Sequence, residues 1–266
     1  AGEAIGCFGL TEPDHGSDPA SMRTRARKDG DDWVLNGSKM WITNGSIADV
    51  AVVWANAGEE HGGIRGFVVP TDTPGFAAHK ITHKMSLRAS VTSELTFENL
   101  RLPADAVFPD VTGLKGPLAC LSEARYGIVW GALGAARSSL DAARRYSMER
   151  IQFGRPIAGF QLTQAKLANM ATELQLGQLL ALHLGRRKDT VGLRPEQVSV
   201  GKYNNITKSI EICRTARTIL GANGVSGEYP VLRHANNLES VLTYEGTVEM
   251  HTLVLGQALT GESAFR

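Results

Sequence analysis

The chain has 266 residues, with 28 lysines and arginines against 27 aspartates and glutamates and a hydrophobic fraction of 42%. That length can hold one large domain or two ordinary ones with a sizeable core. Charge that nearly cancels, with no long basic run, leaves no electrostatic footprint for nucleic acid or an anionic membrane surface, and no stretch nears the roughly 20 apolar residues of a membrane span.

The first residues, AGEAIGCFGLTEP, run straight into patterned sequence without a methionine, so the chain is expected to be part of a longer one. From Trp33 to about Phe108 the apolar residues come in short runs: WVL, KMWIT, ADVAVVWA, IRGFVVP and SELTFENLRL. Asn36-Gly37, Asn44-Gly45 and Gly62-Gly63 separate them. Short runs punctuated by Asn-Gly predict antiparallel strands in hairpins, as a small barrel or sandwich. Pro109, Gly113 and Gly116 interrupt this pattern and set a boundary, with a β domain over 1–112 and a helical domain over 113–266.

In the second half the period changes. Residues 116–150 are apolar and rich in small residues on several faces, which predicts a buried helix packed closely by neighbours. Residues 165–189 place Leu167, Met170, Leu174, Leu180 and Leu184 on one broad face. Residues 199–220 repeat that spacing through Ile206, Ile210, Cys213 and Ile219, and Gly221 supplies a C-terminal stop. A shorter helix follows Thr247. The whole reads as an α+β protein, an antiparallel β-barrel or sandwich followed by a four-helix-type bundle. The three cysteines, Cys7, Cys120 and Cys213, are odd in number and lie in apolar segments, which predicts reduced core thiols.

Several stretches could carry chemistry. FGLTEPDHGSD, Phe8 to Asp18, exposes hydroxyls and amides on a Gly/Pro-shaped turn, either to hold an acceptor-rich ligand or as an ordinary polar loop. Trp41, in KMWITNG, is either core or an aromatic wall for a flat ring, with Thr43 offering a hydrogen bond. Arg150, Gln152, Arg155 and Gln161 surround a Phe-Gly-Arg-Pro break, where an arginine either covers surface or grips a diphosphate. In LTYEGTVEMH, Glu245 sits just before a helix start, as a dipole-offsetting acid or as a reactive carboxylate. His79 and His83 lie four apart in a segment read as strand or loop. With no His-Glu-x-x-His or Cys-x-x-Cys, no metal site is expected. A Gly-x-Ser-x-Gly elbow and a P-loop are also missing from the sequence.

Taken in order, FGLTEPDHGSD, KMWITNG, ARYGIVWGALG, ERIQFGRPIAGFQ, LGANGVSGEYPVLRHANNLESVLTYEGT and LGQALTG resemble the acyl-CoA dehydrogenase family over essentially the whole chain. SLRAS, CLSEARYGIVWG and RHANNLESVLTYEGT look most like its glutaryl-CoA dehydrogenases. The resemblance implies an FAD enzyme that desaturates an acyl thioester. A carboxylate takes the α-proton, and the β-hydrogen leaves as hydride to the flavin. Electrons pass to electron-transfer flavoprotein, the chain assembles as a homotetramer, a dimer of dimers, and the compartment is the bacterial cytoplasm or the mitochondrial matrix. For a glutaryl-type enzyme the product is crotonyl-CoA, after decarboxylation.

By position, the resemblance makes Glu245 the catalytic base. It assigns Phe8, Gly9, Leu10, Thr11, Glu12, Gly16 and Ser17 to one side of the flavin, with Ser17 also reaching the acyl-CoA, and Trp41, Ile42 and Thr43 to the other side. Cys120, Leu121, Ser122, Glu123, Ala124, Arg125, Tyr126 and Gly127 line the thioester channel, and Gly246 lets the thioester approach. Arg150, Gln161, Thr218, Ile219, Leu220, Gly221 and Ala222 hold the adenosine diphosphate portion, partly across a subunit interface, and Thr247 and Phe265 complete the flavin pocket. The family usually has two adjacent glycines where this chain has Gly221-Ala222. Its members also begin with a helical domain that closes one wall of the site and, in the glutaryl type, binds the distal carboxylate; the chain is expected to start after that domain. An oxygen-using flavin relative, another short-chain dehydrogenase and a non-catalytic binding module are the alternatives.

Overall fold

In the computed structural model, which describes residues 2–264, the first half forms one seven-stranded sheet. Its strands are β1 (Gly6–Gly9), β2 (Arg25–Asp29), β3 (Asp32–Thr43), β4 (Val50–Asn56), β5 (Ile64–Pro70), β6 (Phe76–Lys80) and β7 (Thr92–Leu102). They lie in the order β1-β4-β2-β3-β7-β6, with β5 paired to β4. The expected antiparallel pairing holds for β2–β3, β3–β7, β4–β5 and β6–β7. Strand β1 instead runs parallel to β4, so the sheet is mixed. The chain between β1 and β4 travels through β2 and β3 before it returns, a crossover that permits parallel pairing.

Two of the three predicted hairpin turns have other roles. Asn36-Gly37 lies inside β3, where the register with β7 slips between Leu35 and Gly37. Such a bulge bends a strand without ending it. Gly37 has φ +145°, and a Cβ there would fall 2.6 Å from the Thr24 Cα, so close approach to β2 demands glycine. Asn44-Gly45 does turn, but it leads β3 to β4, which are not sheet neighbours. Gly62-Gly63 lies in the connection of a true hairpin, β4–β5.

The interior of this sheet unit is apolar, with Leu35, Val53, Phe67, Val69, Leu95 and Leu100 fully buried. Burial of each such side chain stabilises the fold by about 1.5–3 kcal/mol. One polar device crosses it. Lys39 of β3 is fully buried, and its ammonium meets Glu12 at 2.9 Å and the Leu10 carbonyl at 3.0 Å. Glu12 also accepts from the amides of Arg23 at 2.6 Å and Thr24 at 2.9 Å. Burial pushes the Glu12 carboxyl up, but the Thr24 side chain, the two amides and Lys39 outweigh it and hold the group at about 2. With Met40 donating its amide to the Thr11 carbonyl at 2.8 Å, the turn after β1 is fastened to β3.

The helical unit comprises Met85–Leu87 and the chain from Ser122 onward. Its helices are α1 (Lys115–Glu149, whose first turns belong to the sheet unit), α2 (Gln161–Thr190), α3 (Pro195–Ile219), α4 (Pro230–Thr243) and α5 (Val248–Thr260). A two-stranded ribbon, β8 (Ile151–Gln152) and β9 (Arg155–Pro156), links α1 to α2. Met170, Leu174 and Leu184 of α2 and Ile206, Ile210, Cys213 and Ile219 of α3 are buried, as the helical spacing predicts. Helix α4 is an addition to the predicted set. Pro230 takes its first turn, and Val231, Ala235, Leu238 and Val241 form its buried stripe.

Helix α1 is not buried all round as predicted. Gly127, Gly131 and Gly134 are exposed and Trp130 is 39% exposed, because no other segment of the described chain covers that face. Cys7 and Cys213 are buried, and burial pushes both thiols up to about 11. Cys120 departs from expectation: it lies on the exposed side of the first turns of α1. Among the described residues no helix is long and apolar enough to cross a membrane.

Glu12→Gln leaves the Lys39 charge buried and unpaired, so unfolding by urea should show a loss of about 3–5 kcal/mol at neutral pH. In the parent, the contribution of Glu12 is complete above its ordinary value of 4.5 and is lost as pH falls through about 2. A neutral-pH denaturation midpoint unchanged by Glu12→Gln would contradict the role given to the pair.

Candidate active site

Helix α4 ends at Thr243, α5 begins at Val248, and the four residues between them turn sharply. Glu245 has φ +54° and Gly246 φ +89°, two consecutive residues in the left-handed region. For a residue with a Cβ this conformation costs roughly 1–2 kcal/mol, and it persists only where the surroundings impose it. Here the surroundings grip the backbone. The Lys202 ammonium donates to the Tyr244 carbonyl at 2.6 Å and the Gly246 carbonyl at 2.5 Å, and Arg125 Nε donates to the Glu245 carbonyl at 2.7 Å. Thr247 then caps α5 by accepting from the Met250 amide at 3.3 Å.

Gly246 is also required for space. A Cβ there would stand 3.0 Å from His251 Nε2 and 3.5 Å from the Arg125 guanidinium. His251, on α5, is 2% exposed, and its Nδ1 lies 2.9 Å from the Ser199 hydroxyl. Burial first, and then the Lys202 and Arg125 charges, lower the His251 pKa to about 4, so the ring is neutral at physiological pH.

The Glu245 side chain is half-buried, and its Oε2 is an enclosed oxygen without a hydrogen-bond partner. Burial raises its pKa above the ordinary value, and the opposing pulls of Lys202 and Arg125 do not cancel that rise. Burial likewise lowers the Lys202 ammonium to about 8, against the pull of Glu245. An acid held by its backbone, with one oxygen unpaired in a partly dry place, has the chemistry of a general base rather than of a structural ion-pair partner.

Of the positions expected to line a thioester channel or hold the cofactor, one touches this loop. Arg125 is half-buried and turned to Glu245, and Tyr126 accepts from Trp130 Nε1 at 2.9 Å. Glu123 is committed to Lys188 at 2.6 Å, while Cys120, Ala124 and Gly127 are exposed and Ser122 is half-buried. Leu121 packs on the apolar cluster of Leu10, Met22 and Trp54 in the sheet unit. Arg150 and Gln161 lie exposed at the two ends of the break between α1 and α2. In the Thr218–Ala222 run, Ile219 and Leu220 are buried while Thr218, Gly221 and Ala222 face outward, and Gly221 takes φ +59° with space around it. Thr218 receives a hydrogen bond from Lys166 of α2 at 3.2 Å. Phe265 lies outside the described residues.

In the sheet unit, Phe8, Thr43 and Val52 border an open hollow of about 400 Å³ together with Gly6, Cys7, Asn44 and Val50. Gly9 and Leu10 are buried, Thr11 is half-buried and Gly16 and Ser17 are exposed on the turn. Glu12 spends its side chain on Arg23, Thr24 and Lys39, so only its backbone remains for a ligand. Of the two readings of Trp41, core is excluded. A second register slip in β3, between Lys39 and Ile42, gives Trp41 φ +64° and leaves it 58% exposed, while Ile42 turns into the core.

Sequence reasoning passed over Lys202 and His251. The signal for Lys202 is its phase: it follows Val198 by four residues and precedes Ile206 by four, placing a lysine in the apolar stripe of α3.

Comparison with known proteins identifies the family of the chain. Residues 7–100 match the model of the acyl-CoA dehydrogenase middle domain, and residues 112–260 match that of the acyl-CoA dehydrogenase C-terminal domain. The human mitochondrial short-chain specific acyl-CoA dehydrogenase is 38% identical over 258 residues, which are 96% of this chain and 63% of that protein. Two structures of glutaryl-CoA dehydrogenase from Mycobacterium smegmatis cover all of this chain and 68% of theirs. One is 69% identical with a TM-score of 0.97, and the other, a complex with FADH2, is 64% identical with a TM-score of 0.98. The chain thus spans less than two thirds of the length of the human relative. With both domain models matched in order across most of its length, the chain belongs to the acyl-CoA dehydrogenase family.

Proposed function

We propose that this chain is the cofactor- and base-bearing part of an FAD-dependent acyl-CoA dehydrogenase that oxidises and decarboxylates glutaryl-CoA to crotonyl-CoA. The observation that carries the reading is the Glu245 carboxyl, partly dry, unpaired at Oε2 and raised in pKa, on a backbone clamped from two helices. Identity of 69% to a glutaryl-CoA dehydrogenase supports the substrate class. In this reading electrons pass to electron-transfer flavoprotein and the protein assembles as a homotetramer, for which the exposed small-residue face of α1 offers close packing.

The residues present fit a flavin. Trp41 is an exposed, backbone-fixed ring, the hollow beside Phe8 and Thr43 is mostly apolar in lining, and the Thr11 turn is tied to the strand that carries Trp41. Phe8 to Ser17 and Trp41 to Thr43 would hold the ring. Arg150, Gln161 and Thr218 to Ala222 would hold the diphosphate and adenosine portion, and Thr247 and Phe265 the remainder. Bound FAD would supply a two-electron acceptor for the β-hydrogen of the thioester.

The chain's own residues do the proton chemistry. An unperturbed glutamate, with a pKa of about 4.3, is too weak to take an α-proton from a thioester; desolvation strengthens it. Glu245 receives the α-proton, and the resulting negative charge develops on the thioester oxygen. By resemblance, the Glu245 amide donates to that oxygen, so one residue both removes the proton and steadies the charge. Lys202 and Arg125 oppose the effect of burial and favour the ionised carboxyl. Arg125 and Ser17, with the exposed side of the first half of α1, would meet the thioester and its coenzyme.

Glu245→Gln in the intact protein should keep the yellow colour and lose anaerobic bleaching by both glutaryl-CoA and butyryl-CoA; bleaching at the parent rate would remove the base assignment. In the parent, release of carbon dioxide with glutaryl-CoA supports the glutaryl reading. Faster bleaching by butyryl-CoA without carbon dioxide would instead favour a short-chain specificity like that of the human relative. Gly246→Ala forces a Cβ against His251 and should lower the reduction rate by about 100-fold, the scale of a misplaced reacting group, with flavin retained. Stopped-flow absorbance measures the rate.

A further inference from the structure

Lys202 is a buried cation whose place the established family membership does not explain. It lies on α3 at 2% exposure, and its ammonium bonds the carbonyls of Tyr244 and Gly246, the residues on either side of Glu245. Among the described residues it makes no carboxylate ion pair within 4.0 Å, and its direct hydrogen bonds go to peptide carbonyls, with the Tyr244 ring 5.9 Å away and the Glu245 charge acting from a distance. A peptide carbonyl is satisfied by water or by a neutral amide at far lower cost. A lysine carried into the apolar stripe of α3 therefore points to a role for its charge and its reach.

We propose that Lys202 is a positioning residue for the reaction, holding the peptide units on both sides of Glu245 so that the bend presents the carboxyl to the substrate, and biasing that carboxyl toward its ionised form. This inference rests on Glu245 being the base. Two consecutive left-handed residues have no helical or strand hydrogen bonds to stabilise them, and the carbonyl grip supplies the missing constraint. The ammonium, which burial lowers to about 8, is below that pH one of two positive charges set against the carboxyl.

The groups that face Glu245 come from four elements. Arg125 comes from α1 and holds the Glu245 carbonyl, Lys202 comes from α3, His251 comes from α5, and Tyr244 belongs to the end of α4. His251 is neutral and Arg125 stays charged throughout the working range, and burial raises the Tyr244 phenol away from it. Removing the Lys202 charge therefore leaves Arg125 as the sole countercharge in this group, and the Glu245 ionisation moves to higher pH.

The test uses Lys202→Met, which removes both donors and charge, and Lys202→Gln, which keeps amide donors and removes the charge. In the intact flavoprotein, the limiting rate of anaerobic flavin reduction by glutaryl-CoA and by butyryl-CoA is followed against pH, with substrate affinity read from a binding titration. Lys202→Met should lose about 100-fold in the limiting rate with flavin content and substrate affinity nearly unchanged, the split expected when a reacting group is misplaced rather than a binding surface lost. Lys202→Gln should recover part of that loss, and its pH profile should sit to the alkaline side of the parent. A parent-like rate and pH profile in either soluble variant overturns the proposal, as does a loss that falls wholly on substrate affinity. If Lys202→Met does not fold, the pH profile of Lys202→Gln decides by itself. Failure of the base assignment shows separately, as bleaching that survives Glu245→Gln.

Discussion

A half-buried carboxyl sits on a backbone bend that the chain would not adopt unaided, and the proposed chemistry depends on that constraint. Glu245 and Gly246 both occupy left-handed φ, and three successive carbonyls, of Tyr244, Glu245 and Gly246, are taken by Lys202 and Arg125. The cations thus act on the peptide and not by salt-bridging the side chain. Had either paired directly with the carboxylate, its pKa would fall and the acid would lose its use as a base. Burial raises the pKa, the more distant charges temper the rise, and the net direction is upward.

The sheet unit shows a related solution with the opposite electrostatic outcome. Lys39 also lies in an apolar strand, but it meets Glu12 at 2.9 Å, and Glu12 receives two backbone amides besides. There the carboxyl is driven down to about 2, where it is a fixed anion and a structural tie. Two glutamates in one chain are thus sorted by their hydrogen bonds. Glu12 has its donors and stays ionised, whereas Glu245 Oε2 has none. The tie fastens the turn after β1, because Leu10 and Thr11 are bonded to Lys39 and Met40 of the strand that carries Trp41.

Much of the architecture was legible from periodicity. The stripes of α2 and α3 and the short runs of the sheet follow from burial of apolar faces, which composition and spacing record directly. Helix α4 was not, because Asn236 and Asn237 mask a stripe that Val231, Ala235, Leu238 and Val241 complete. The parallel pairing of β1 with β4 was illegible because it joins residues more than 40 apart, and Asn36-Gly37 imitates a hairpin while forming a bulge against Thr24. At the site, order of motifs led to Glu245, Arg125 and Gly246. Lys202 and His251 escaped because their importance lies in what they touch across the bundle, α3 and α5 converging on one loop. A charged residue in phase with an apolar stripe was the one trace of Lys202 in the sequence.

The central claim is that burial makes Glu245 a stronger base than a glutamate in water. Infrared difference spectroscopy of the intact flavoprotein, titrated with acid beside its Glu245→Gln variant, isolates this one carboxyl. The expected result is a protonated-carboxyl band that appears with a midpoint above 4.5, the ordinary value, and is missing from the variant. A band assigned to Glu245 with its midpoint at or below that value would contradict the claim.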